Sequence, residues 1–168
     1  MSTSSIETVR EEFIDELETI NGTGSFRNAI AKVYRDLQMS IPEHPSITFR
    51  FGADPNDVYK FIPTDSNIET FQFTIPFYIV CEFCADSATE YSTSPILAAQ
   101  DSLVHDIHRI VVTLYTKYLN ANTPSWHIDD TVPVQTSPCF ALTGAENQFA
   151  FVVYGDLIIR NLDSGLDQ

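Results

Sequence analysis

Between Ile68 and Phe83 the chain alternates without interruption, placing Phe71, Phe73, Ile75, Phe77, Ile79, Cys81 and Phe83 on one side and Thr70, Gln72, Thr74, Tyr78 and Glu82 on the other. Side chains of an extended strand point to opposite faces in turn, so a period of two over this length predicts a long strand with one buried side. Such a strand demands partners for its backbone and a cover for its apolar face, which restricts the fold to a sheet with something packed on it. Pro76 lacks a backbone donor, and its position predicts either an edge strand or a bulge.

The cover is readable elsewhere. Ser4 and Glu7 form a capping box before Ile6, Val9, Phe13, Leu17 and Ile20 at helical spacing, and Asn21–Gly24 (Asn-Gly-Thr-Gly) ends the run. The outer side of this first helix carries Glu7, Glu11, Glu12, Asp15, Glu16 and Glu18 against Arg10 alone. That is a solvated face or one that meets a basic partner, solvation being the ordinary case. Ser94 and Pro95 supply an N-cap and first-turn pair for a second helix running to about Leu119.

Further strands are predicted at 46–51, where Ile47, Phe49 and Phe51 alternate with Ser46, Thr48 and Arg50, at Trp126–Val134, and at Gln148–Leu162, which is apolar on both faces and therefore central or shared with a neighbour. Residues 25–37 satisfy a helix through Phe26, Ile30, Val33 and Leu37 and a strand through Ala29, Ala31 and Val33, with helix slightly favoured. Residues 52–67 have turn chemistry at both ends and predict a protruding loop or hairpin, and 163–168 a frayed tail. The expectation is one domain over 1–168, of α+β class: a single twisted, mostly antiparallel sheet with two main helices packed on one side.

Composition excludes several function classes. Nine basic against 23 acidic residues leave a net charge of −14, which argues against a nucleic-acid groove. No apolar run approaches the ~20 residues of a membrane helix, and the acidic N-terminus lacks the character of a signal peptide, so a cytoplasmic chain without membrane association is expected. Three cysteines, an odd number, fit reduced thiols.

Three motifs invite chemistry. Asp101, His105 and His108 stand at offsets of four and seven, as a metal-dependent enzyme could use them, but Leu97, Val104, Ile107, Val111, Leu114 and Tyr118 define the buried stripe of their helix. Ser102, Asp106, Arg109, Thr113 and Thr116 then lie opposite, and the three candidates fall on the shoulder, where half-exposed histidines ordinarily sit. Cys81 and Cys84 resemble half a zinc knuckle, yet an offset of three on a strand sends them to opposite faces. The six glycines form no phosphate-binding loop. No catalytic residue, cofactor or metal is assigned.

The order of parts is an acidic helix, "VYRDL", "PSITFRFG", a protruding loop, a long aromatic strand, the helix around "LVHDIHRIV", and a last strand "FAFVVYGDLIIR". Over roughly residues 5–160 this resembles the tail-terminator (tail-completion) proteins of tailed bacteriophages and the related head-to-tail joining proteins. The resemblance implies a structural virion protein, assembled in the host cytoplasm, whose copies form a ring, six in the family, that caps the tail tube. Its partners would be the tube protein and the neck, with DNA passing through the lumen unbound; a head–tail connector is the alternative role. It also turns residues 25–37 into a strand. Residues expected at subunit or tube contacts are Asp54, Asp57, Tyr59, Phe61 and Asp65 in the loop and Phe151 and Val153 in the last strand.

Overall fold

A computed structural model describes residues 5–35, 43–52, 60–63, 71–85, 94–119, 126–144 and 147–161. In chain order the elements are α1 (Ser5–Glu18), β1 (Lys32–Tyr34), β2 (Ser46–Phe51), β3 (Lys60–Pro63), β4 (Phe71–Cys84), α2 (Ser94–Leu119), β5 (Trp126–Ile128), β6 (Gln135–Thr136), β7 (Phe140–Ala141) and β8 (Gln148–Asn161). The strands make one strongly curled sheet in the order β1-β2-β4-β8-β5, with β3 added to β4 and β6 and β7 to β8. All pairings are antiparallel except β1 with β2.

The backbone of the sheet is the β4–β8 pair, which stays in register from Phe71↔Asn161 to Cys84↔Gln148. β4 is therefore central, and the expectation of an edge or bulge at Pro76 is corrected. The reason lies on its other side, where β2 ends at Phe51↔Phe77 and β3 begins only at Lys60↔Thr74. Pro76 falls in that gap; its carbonyl accepts from Gly52 N–H at 3.0 Å, and its missing donor has no strand to face. β8 is likewise central, which settles why its sequence is apolar on both faces.

Alternation decides what each strand buries. Ile75, Phe77, Ile79, Cys81 and Phe83 of β4 and Phe151, Val153, Leu157 and Ile159 of β8 point inward, joined by Ile47 and Phe49 of β2 and Trp126 and Ile128 of β5. Both helices lie on this side: Val9, Phe13, Ile14 and Leu17 of α1 and Leu103, Ile107, Ile110 and Leu114 of α2 complete one core. Phe13 is its keystone, stacked on Phe49 at 4.7 Å and packed on Phe77 at 5.4 Å and Trp126 at 5.3 Å. Each such side chain contributes about 1.5–3 kcal/mol by leaving water. Gly155 lies opposite Phe77, and a Cβ there would stand 3.0–3.1 Å from that ring and from Val134, so the rings pack only because the position is bare.

Four further expectations change. Of residues 25–37, those described, 25–35, form no helix, and of the strand they hold only Lys32–Tyr34; Ile30 N–H is bonded to Ile20 O and Ala31 N–H to Pro45 O, and 36–37 lie outside the described residues. The run from Trp126 to Val134 stops being a strand at Ile128, because Asp129 Oδ1 accepts from both the amide and the hydroxyl of Thr131 and turns the chain. β2 is buried on both faces over Ser46–Phe49, where alternation predicted a polar outer side. On α2 the buried stripe includes Leu103, Asp106 and Ile110, whereas Leu97 is 50% exposed. Of the loop at 52–67, β3 and Gly52 are described, β3 as a hairpin partner of β4; its other residues and 163–168 lie outside the described residues. Among the described residues no helix is long and apolar enough to cross a membrane.

Candidate functional site

α2 is the element that gathers the chemistry. Its residue Asp106 was expected on the outer face but is fully buried. Oδ1 accepts from Arg27 N–H at 2.9 Å, and Oδ2 from Asn28 N–H and Asn28 Nδ2, both at 2.8 Å. Asn28 Nδ2 also donates to Ser102 Oγ at 2.9 Å, and His105 Nδ1 lies 3.2 Å from Asp106 Oδ1. Burial alone would raise the carboxyl's pKa, but these hydrogen bonds, from the Arg27 amide, Asn28 and His105, outweigh it and hold the group below its ordinary value. Asp106 is thus an anion that organises backbone: the amides of Arg27 and Asn28 go to this carboxylate on another element instead of to a helix, while those of Ile30 and Ala31 go to the carbonyls of Ile20 and Pro45.

Counting Leu103 and Ile110 into the stripe would have revealed this. At about 100° per residue Asp106 then falls about 60° from Leu103, on the edge of the buried sector.

Beside this node, His105, His108, Arg109, Val112 and Thr113 line an open concavity of about 360 Å³. Their spacing of three and four residues puts them on one face of the helix. His108 Nε2 is 2.9 Å from Thr136 Oγ1, and partial burial, followed by the proximity of His105, holds its imidazole below the usual histidine range. The Arg109 guanidinium lies over the Phe26 ring at 6.0 Å. Val112 is 61% exposed. The concavity combines two imidazoles, a held cation and the exposed apolar side chain of Val112, a set that suits carboxylates joined to an apolar surface.

Asp101 is exposed and is not among the residues lining it. Among the described residues no three His, Cys, Asp or Glu side chains converge as metal ligands would. Cys81 is buried and Cys84 exposed, on opposite faces of β4, and burial, with Glu82 and Cys139 nearby, pushes the Cys81 thiol far up. It is a core side chain.

Of the residues expected at contacts, Asp54, Asp57, Tyr59 and Asp65 lie outside the described residues. Phe61 sits in β3, in register with Phe73. Phe151 and Val153 are corrected: both face the core and are fully buried, so neither is available to a neighbour. The apolar surplus of β8 is instead on the outer side of the sheet, where Val152, Tyr154 and Ile158 and, on β4, Tyr78 and Val80 are half-buried. Tyr78 and Tyr154 stack across the strands at 6.1 Å.

No protein-family model and no curated protein sequence matches the chain.

Proposed function

We propose that the chain is a structural component of a tailed-phage virion, a tail terminator whose copies close into a ring on the end of the tail tube and offer the neck a docking surface. The observation that carries this reading is the outer side of the sheet. Two helices cover the inner face, while Tyr78, Val80, Val152, Tyr154 and Ile158 form a row of half-buried apolar and aromatic side chains on which no helix among the described residues lies. A row of that kind suits contact between copies. The order and placement of the elements, one sheet with an acidic helix and a long helix on one side, also agree with the layout that the resemblance implies.

Charge fits the role. At −14 per copy, a ring of these chains lacks the clustered lysine and arginine that would hold DNA by counterion release, so DNA in transit would meet no adhesion. Tube protein, neck protein and further copies of the same chain are the partners this reading assigns, with the virion tail as its location.

The test is assembly of tail tubes with and without the purified protein, viewed by electron microscopy. Tubes of uniform length bearing a cap at one end are expected with it. Unchanged tube lengths and bare ends at saturating protein would reject the role.

A further inference from the structure

Copies of a chain carrying −14 repel one another, so self-association has to be organised where positive charge is left over. Much of the basic complement is already used within the chain: Arg10 pairs with Glu7 at 2.8 Å and Arg35 with Glu11 at 2.7 Å, while Lys32 lies over Tyr34. Arg109 is different. It is exposed, oriented by the Phe26 ring, and has no carboxylate partner among the described residues. It also lines the concavity together with Val112, the most exposed large apolar side chain described. A cation held in place beside an exposed apolar side chain is a receptor for something acidic.

The chain itself carries the complement. Glu7 and Glu11 of α1 are paired, and Glu12 accepts the Trp126 indole N–H at 3.2 Å. Asp15 and Glu18, three residues apart on one side of the helix, are exposed and unpaired among the described residues. They stand at the C-terminal end of α1, whose last turn contains no basic residue. The negative end of a helix dipole disfavours carboxylates and favours an incoming cation, so this end is short of a counter-charge. Patch and counter-patch are different surfaces of one chain, so pairing them between copies is head-to-tail, the arrangement that generates a ring when it closes.

We propose that the α2 concavity, through Arg109 and Val112, receives the last turn of α1, through Asp15 and Glu18, from a second copy of this chain. The inference rests on the assembly reading above and names one interface of it. The experiment is sedimentation equilibrium on four proteins: wild type, Arg109→Glu, Asp15→Arg with Glu18→Arg, and all three changes together. Val112→Asp is a second probe of the same groove, and thermal melting checks that each variant folds.

The wild type should self-associate, each charge reversal and Val112→Asp should weaken association at least tenfold, and the combined variant should recover most of it. If the wild type associates and the reversals leave that unchanged, this interface is wrong while assembly stands. Weakening without recovery in the combined variant removes α1 as the occupant. A wild type that stays monomeric overturns the assembly reading and this proposal together.

Discussion

The β4–β8 pair and the segment from Phe26 to Ala31 are held by opposite means. Along β4 and β8 fourteen consecutive rungs and nine inward apolar side chains share the work, so many weak contributions agree. Arg27 and Asn28 within it depend on one carboxylate, Asp106, which takes both their amides and the Asn28 side chain together. The first arrangement is redundant and follows a period; the second is concentrated and follows none. The difference separates what tolerates a local loss from what does not.

Truncation where the rings of the core meet, at Phe13, should have the largest effect. Phe13→Ala removes a ring that touches Phe49, Phe77 and Trp126, and should lower unfolding free energy by about 3–5 kcal/mol in urea titration. A loss under 1 kcal/mol would show that the core collapses around the gap, contrary to its packing.

Asp106→Asn comes next, at about 2–4 kcal/mol, because the amide cannot accept the same set of charge-assisted bonds. Its pH signature identifies the cause. The folded carboxyl's pKa is depressed below 3.8, so its contribution is complete above that value and is lost as pH falls through the lower folded value. The stability gap between wild type and Asp106→Asn should therefore narrow below about pH 4. A gap independent of pH would mean that the anion does not hold the segment.

Gly155→Ala should cost about 1–3 kcal/mol, as the new methyl presses on Phe77 and Val134. The smallest effect is expected on the shoulder of α2, where His105→Ala with His108→Ala should alter stability by about 0.5 kcal/mol. A collapse of the fold, or loss of a bound metal, would move these histidines from the margin to the centre.

The periodic parts were legible in the chain. β4, α1 and α2 announce themselves because a period of two or of 3.6 is imposed by one buried face, and the caps at Ser94 and Pro95 mark where α2 begins. Three features were hidden for physical reasons. Pro76 is tolerated in a central strand because two different neighbours end and begin beside it, which no local pattern records. Residues 26–31 have helical spacing, but Arg27 and Asn28 spend their amides on Asp106, about eighty positions away in the chain, and Ile30 and Ala31 spend theirs on the carbonyls of Ile20 and Pro45. Phe151 and Val153 are expected at contacts because β8 is apolar on both faces; only the register with Ile79 and Cys81 says which side is the core.

The closed ring proposed for copies of this chain can be weighed by native mass spectrometry of the purified protein, alone and with tail tubes. A ring should give a dominant species at one fixed whole-number multiple of 18.9 kDa, with no ladder of larger open polymers. A species at 18.9 kDa alone under both conditions would contradict it.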